Sequence, residues 1–354
     1  MRPGNCHPRV TSPVPRAVWE SVLRSDEDAV VTQSLAWRDA VFATGRYRDV
    51  SLLYEFPSGR QVVLPMARRR GRLCRAAMVA SWPRVWGVGG PISPAGRVSP
   101  AEAEAVLADV ADRPALAAQI TLRHDADEAW LSEAGRFRVE ERGCYVLDLT
   151  GGFGQVWQQR FRSTARTAMR KAERSGLDVE VDRSGRLLGV FYDLYEESLR
   201  RMAAERHEPL WGTRLRMSRV SPTSPGQLAL VAEQFGEDCA TWVARSKGQP
   251  VAALIVLRSG KYAKNWRVAL IKEAATPVRA TDFLHRLVIE EACRDGYRFY
   301  DMGGTPLGSP IAAFKEKLGA TLHFTHELRA ERLLLQTARR SEGMVKKMSL
   351  FRDT

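Results

Sequence analysis

The chain is short of paired cysteines, of long apolar runs and, across its first half, of lysine. Its five cysteines (Cys6, Cys74, Cys144, Cys239 and Cys293) are scattered, odd in number and never spaced C-x-x-C. That excludes a disulfide scaffold and the usual zinc spacings, and it suits a reducing cytoplasm. No apolar run reaches the ~18 residues that a bilayer span needs. The stretch Met1–Arg16 carries Pro and Arg without an apolar segment, so it reads as a loose tail rather than a secretory signal. There is no G-x-S-x-G, P-loop, G-x-G-x-x-G or H-E-x-x-H. His207 and Cys239 lack partners at a recognisable spacing, so no metal or thiol mechanism is expected. No lysine precedes Lys171, as an Arg-rich, GC-rich coding bias would produce.

What is present points to two globular domains. At 354 residues the chain exceeds one ordinary core, and its 44% hydrophobic content is that of a folded protein. The net charge of +13 suits a polyanionic partner such as nucleic acid, a nucleotide-linked substrate or a lipid headgroup surface. Compositional drift yields the same surplus, so charge alone does not choose among them.

Local signals divide the chain near Gly151-Gly152, giving a first domain over 1–150 (1–16 the tail), a second over 151–328 and a basic amphipathic helix over 329–354. In the first, Ser34–Ala43 has helical spacing, and Ser51–Phe56 with Gln61–Ala67 reads as a hairpin about Pro57-Ser58-Gly59-Arg60. Pro100–Ala111 reads as a helix capped by Ser99. In the second, Phe153–Arg174 is expected as one long basic helix, Leu187–Arg206 as another, and residues 241–246, 251–258 and 262–269 as three antiparallel strands. A helix capped by Thr281, a strand over Tyr297–Met302, a short helix over Ile311–Leu318 and a last strand from Thr321 follow. Helices on mixed sheets place both halves in the α/β (α+β) class.

Several stretches together resemble the Fem-type aminoacyltransferases. They are Phe161–Val181 (basic helix, R-K-A-x-x-x-G, strand), Gly89-Gly90-Pro91-Ile92, Phe191–Arg201, and Tyr300–Gly319 with its glycine loop and F-K-x-x-x-G. The last is the most specific. The resemblance runs from about Gln33 to Leu328. It implies two tandem GNAT-like domains and transfer of an aminoacyl group from charged tRNA to an amine. It implies no cofactor beyond aminoacyl-tRNA as co-substrate. The family's coiled-coil arm has no room here, because Gln227–Gln234 is too short to form it.

The resemblance also assigns residues. Lys315 would stabilise the tetrahedral oxyanion, from a helix N-terminus beside a glycine loop, and Phe314 would pack on the tRNA acceptor end. From the residues themselves, Asp301 could orient Lys315, accept a proton or cap a turn, and Gly303 and Gly304 either let a ligand approach the backbone or form a simple turn. Arg201, or its neighbour Arg200, would meet a phosphate of the acceptor substrate. Arg166, Arg170 and Lys171 suit an RNA backbone. Trp211, Trp242 and Trp266 are candidates for stacking on an unpaired CCA end, with core packing the competing role.

Two departures shape the functional reading. Where relatives acting on peptidoglycan precursors carry a phosphate-binding Lys, this chain has about Val41. A different amine, such as a small secondary metabolite or a modified peptide, is therefore the expected acceptor. An acyl-CoA N-acyltransferase of the same fold is the rival enzyme, yet Ala274–Ala280 has no glycine for the [RQ]-x-x-G-x-[GA] loop that cradles pyrophosphate. A non-catalytic RNA- or membrane-surface-binding protein is the rival outside enzymes. The acceptor's identity, the amino acid and the oligomeric state are not written in the sequence.

Overall fold

The computed structural model describes residues 7–70, 78–83, 86–220 and 223–331, and the chain divides into two compact units. The first takes the residues up to Asp26, then Gly45–Glu141 and the chain from Thr325. The second takes Glu27–Thr44 and Arg142–Phe324. The change of unit lies at Arg142, ahead of the glycine pair at which the sequence pattern shifts.

In chain order the elements begin with β1 (Arg9–Thr11), α1 (Arg16–Ser25), α2 (Leu35–Ala43), β2 (Tyr47–Asp49), β3 (Leu52–Glu55), β4 (Gln61–Leu64), β5 (Ala67–Arg69) and β6 (Met78–Ala80). Next come α3 (Pro100–Asp112), β7 (Ala117–Leu122), α4 (Ala129–Ser132), β8 (Arg138–Asp148), α5 (Gly152–Gln155), α6 (Ser163–Glu173) and β9 (Asp178–Asp182). Then follow α7 (Leu188–Glu205), α8 (Leu210–Val220), α9 (Pro225–Phe235), β10 (Cys239–Ser246), β11 (Gln249–Ser259) and β12 (Tyr262–Leu270). The last are α10 (Lys272–Ala275), α11 (Ala280–Arg294), β13 (Phe299–Gly304), α12 (Pro310–Lys317) and β14 (Thr321–Glu331).

In the first unit the expected hairpin is present as antiparallel β3 and β4. α3 starts at a capping box in which Ser99 and Glu102 satisfy each other's backbone N–H at 3.2 and 2.8 Å. Part of the expected loose tail is ordered: Arg9–Thr11 pairs with β3, because a short β-branched run can complete an open edge. Residues 1–6 lie outside the described residues. Gly89 of the G-G-P-I stretch is a packing glycine, since a Cβ there would stand 2.2 Å from Trp82. β6 and β7 are parallel and joined through α3. The end of the chain is not helical from Arg329 as expected: Arg329–Glu331 extends β14 along β7, and the rest of that expected helix lies outside the described residues.

The second unit repeats this theme on a larger sheet, ordered β8-β13-β12-β11-β10-β9. β12 and β13 are its parallel pair, joined through α11. β11 (QPVAALIVLRS) is buried on both faces, which is why its sequence is a continuous apolar run rather than an alternation. On one face Leu254 and Val256 meet Ala165 and Met169 of α6 and Leu284 and Val288 of α11. α7 packs on β11 and β12 through buried Phe191, Leu194 and Leu199, which are outside that cluster. Between α7 and β10 the chain forms α8 and α9, of 11 residues each, and a 3-10 turn at Gly236–Asp238, so there is no coiled-coil arm among the described residues.

The long basic helix expected over Phe153–Arg174 is broken. After α5, Val156–Arg160 forms a π turn, Phe161 turns extended (ψ 128°), and α6 begins at Ser163. Phe161 is driven into the core. The freed backbone is satisfied elsewhere: Arg162 N donates to Lys317 O at 2.9 Å, and the Arg166 guanidinium donates to the carbonyls of Trp157, Gln158 and Phe161. Arg166 is thus a cap on this break.

The same junction explains the glycine of F-K-x-x-x-G. Gly319 ends α12 at φ +78°, and a Cβ there would stand 2.4 Å from the Arg160 carbonyl oxygen. Both the left-handed backbone and the close approach demand glycine. Gly319→Ala is expected to destabilise the protein by about 1–3 kcal/mol, measured as a shift in the urea midpoint at unchanged slope.

Candidate active site

The site forms where β12 and β13 part. Their pairing covers Tyr262↔Phe299, Ala263↔Tyr300 and Lys264↔Asp301 and goes no further, although β12 runs on to Leu270. The reason lies on the other edge of β12. Register against β11 jumps from Ile255↔Arg267 to Val256↔Asn265, so Trp266 is an extra residue. A bulge bends the strand that carries it. The two strands part beyond Lys264 and Asp301.

Asp301 is held on both oxygens. Oδ1 accepts from Gly303 N at 2.7 Å, and Oδ2 from Lys264 Nζ at 2.5 Å. These two bonds fix its carboxylate at the end of the strand pairing. Gly303 adopts φ +72°, and a Cβ on Gly304 would lie 3.3 Å from the Gly143 carbonyl oxygen, so the loop needs both glycines for conformation and closeness.

α12 delivers Lys315 to this loop. Ser309 caps the helix by accepting from Ala312 N at 3.2 Å, with Pro310 at its first position. Lys315 shares the buried face with Ala312 and Leu318 and is 6% exposed. It lies in the last turn of α12, not at the N-terminus expected from sequence, so helix amides do not assist it. Helical side chains point back toward the N-terminus, and Lys315 Nζ accordingly reaches Gly303 O at 2.9 Å and Gly304 O at 3.5 Å. It also stands 5.5 Å from the centre of the Tyr145 ring. Burial pushes its pKa down to about 8; the Lys264 charge adds to this and the Asp301 charge opposes it. Asp301 therefore acts on Lys315 in two ways, by its field and by fixing the Gly303 peptide that Lys315 grips.

Phe314 is half-buried on the neighbouring face of α12. Its ring lies 5.3 Å from His285 and 4.8 Å from Lys317 Nζ. His285 Nδ1 and the Tyr300 hydroxyl share a hydrogen bond of 2.9 Å. Burial, then the charges of Lys315 and Lys317, hold the His285 pKa down at about 3, and burial pushes Tyr300 far up. Both are neutral structural groups. Because the native value of His285 lies below its unfolded value of 6.5, the stability it confers is complete above pH 6.5 and lost as pH falls toward 3. Urea unfolding is expected to show a decline with an added slope of up to about 1.4 kcal/mol per pH unit there, absent in a folded His285→Gln variant.

The other candidates are dispersed. Arg201 pairs with Glu205 at 2.7 Å, and Arg200 pairs with Glu197, both along α7. Arg170 lies over the Trp157 ring on exposed α6. Trp266 is 9% exposed and wedged against Trp37 with centroids 5.8 Å apart, so it is a core residue and not a platform for a base. Trp242 is buried as well, while Trp211 is 69% exposed. Val41 is fully buried. Sequence reasoning missed Lys264 and Asn265. Their signal was a polar pair interrupting an apolar strand, Tyr262-Ala263-Lys264-Asn265-Trp266. Asn265 Oδ1 is buried without a hydrogen-bond partner, one residue beyond the last β12–β13 pair. The helix expected to be capped by Thr281 starts at Ala280, after Arg279 in a left-handed conformation (φ 57°).

The family described as acetyltransferase (GNAT) domain matches residues 159–316. This part of the chain is similar to GNAT domains. Over the whole length, the fold is that of FemX, with a TM-score of 0.66 at 12% identity, covering 92% of this chain and 97% of that one. The C-terminal domain of a proposed lysylphosphatidylglycerol synthetase from Agrobacterium fabrum is also similar (TM-score 0.52, 16% identity, 92% and 96% covered). So is L-PGS from Bacillus licheniformis (TM-score 0.51, 15% identity, 91% and 94% covered). No curated protein sequence matches. The expected tandem GNAT-like, Fem-type fold is the one observed, and it is an acyltransferase fold. Among the described residues, no helix is long and apolar enough to cross a membrane.

Proposed function

We propose that the protein is an aminoacyltransferase that moves an amino acid from aminoacyl-tRNA to an amine, forming an amide. The observation that carries this reading is Lys315, a buried ammonium pinned by the Gly303 and Gly304 carbonyls where β12 and β13 part. An ammonium has three protons, and these carbonyls leave at least one for a ligand.

The ester is already activated, so no covalent enzyme intermediate is required. The amine nitrogen attacks the ester carbonyl, whose oxygen becomes an oxyanion that Lys315 stabilises. The C–N bond forms as the C–O bond to the ribose breaks. The amine's proton ends on the departing ribose hydroxyl. Asn265 Oδ1 is available to orient the attacking N–H. Lys264 and Asp301 hold the loop.

Three things support aminoacyl-tRNA over acyl-CoA. The Fem-type resemblance implies it, and one of the similar structures is named for attaching a lysyl group. The turn before α11 places Val278 and Arg279 where a pyrophosphate loop would carry glycine, and their side chains hinder approach to its amides. A pool of charged tRNA presented with a panel of amines tests this by product mass. Products heavier by one amino-acid residue support the reading. Amines acetylated from acetyl-CoA, with none aminoacylated, would replace it with the acyl-CoA rival.

A further inference from the structure

Among the described residues ten large apolar side chains are exposed, and four of them fall within residues 307–324: Leu307, Ile311, Leu322 and Phe324. Scattered singly, such residues need no explanation, but a cluster marks a surface that something covers. These four form a cluster. A Cβ on Gly143 would stand 3.0 Å from the Leu307 side chain and 3.1 Å from that of Leu322, so the two leucines close over that glycine of β8. Phe324 follows Leu322 on the same face of β14. Ile311 lies four residues beyond Leu307, across the Ser309 cap, and one turn before Lys315 on the same side of α12. The Lys315 stem runs back toward it to reach Gly303 O.

The patch is tied to the reacting centre. Thr305 N donates to Gly143 O at 3.3 Å, so the strand beneath the leucines also holds the loop whose carbonyls grip Lys315. Two residues along β8, the Tyr145 hydroxyl donates to Glu316 at 3.2 Å, on the flank of α12 away from Phe314 and Lys317. With the donor's end against Phe314, as the Fem-type resemblance implies, this opposite flank is left for the acceptor. Residues 302–314 contain no charged side chain, in a chain that is 27% charged, so the loop and the first turn of α12 offer an acceptor no ionic partner. We propose that this patch binds the apolar part of the acceptor, an amine that carries an alkyl or aryl group of several carbons. That the ligand is an amine rests on the aminoacyltransferase reading; its apolar body rests on the patch.

The test is calorimetric binding of primary n-alkylamines, butylamine to decylamine, to the full chain, followed by transfer to the same amines from charged tRNA and from acetyl-CoA. Affinity for the wild type should rise about two- to fourfold per added CH₂, the upper value being that of full burial. Leu307→Ser/Ile311→Ser should flatten the rise to below about 1.5-fold per CH₂. Val181→Ser/Leu215→Ser, which removes exposed apolar residues elsewhere in the same unit, should keep it. All four residues are exposed, and unchanged melting confirms folding. A rise absent from the wild type, or lost alike in both variants, overturns the proposal, as does failure of every amine to bind. Attachment to phosphatidylcholine vesicles, or self-association in sedimentation, that replaces this dependence and disappears only in the patch variant gives the surface to a membrane or to a second copy and likewise overturns it. Transfer separates this proposal from the reading beneath it. Amines that bind with the expected dependence but are acylated only from acetyl-CoA leave the apolar acceptor site standing and end the tRNA reading. Transfer from tRNA to amines of every length alike keeps that reading and overturns the patch. Bound amines acylated from neither donor overturn the acceptor role.

Discussion

Replacing Lys315 by alanine is expected to lower turnover by about 10²–10³-fold while leaving affinity for tRNA within about twofold. The size is that of removing one preorganised donor to an oxyanion. The split follows from geometry: Lys315 Nζ is sequestered beside Gly303 and Gly304 and meets charge only as it develops at the carbonyl. A group used in the transition state lowers kcat and kcat/KM together. Rapid-quench single turnovers, with separate measurement of tRNA binding, read the two quantities independently. Equal losses in both would make Lys315 a phosphate contact instead. Lys315→Arg should rescue little, because the buried slot between Ala312 and Leu318 was shaped by a slim ammonium stem.

Transfer should also fall as pH rises through about 8. Lys315 is held down at about 8, chiefly by burial, and its neutral form cannot stabilise an oxyanion by charge. Above that pH, kcat should decline about tenfold per unit. A rising limb at lower pH belongs to the acceptor amine, which must lose its proton to attack. Asp301→Asn removes the charge that supports the Lys315 cation, so the falling limb should move to lower pH. Stability should move the other way. The native value lies below the unfolded one of 10.5, so between pH 8 and 10.5 the unfolded chain holds more protons and folding becomes more favourable as pH rises. Activity that falls while urea resistance holds or grows would identify titration of Lys315 and exclude alkaline unfolding. A falling limb unchanged in Asp301→Asn would assign it to another group.

Much of this architecture is written locally in the chain. Ser99 with Glu102, Ser309 with Pro310, and Gly319 after α12 are signals that act within one turn, and each marks an element end in the structure. The fully apolar run of β11 announced a central strand. Lys315 was legible because F-K-x-x-x-G ties it to a helix whose other inward residues are apolar. What the sequence concealed depends on long-range packing. The break at Phe161 arises because Arg160 must meet Gly319, more than a hundred residues away. The parting of β12 from β13 arises from a bulge that only the β11 register reveals. Trp266 and Arg166 looked available for RNA because an aromatic residue or an arginine has the same local signature whether it faces solvent or caps the interior. The structure gives Trp266 to Trp37 and Arg166 to three carbonyls.

The central claim is tested most directly by the sensitivity of transfer to ribonuclease. Protein is mixed with an amine panel and total tRNA charged with radiolabelled amino acids, with and without prior ribonuclease treatment, and in parallel with labelled acetyl-CoA. The account predicts that label reaches an amine only from intact tRNA, and that Lys315→Ala abolishes most of that signal. Label passing from acetyl-CoA, indifferent to ribonuclease, with none passing from tRNA, would contradict it.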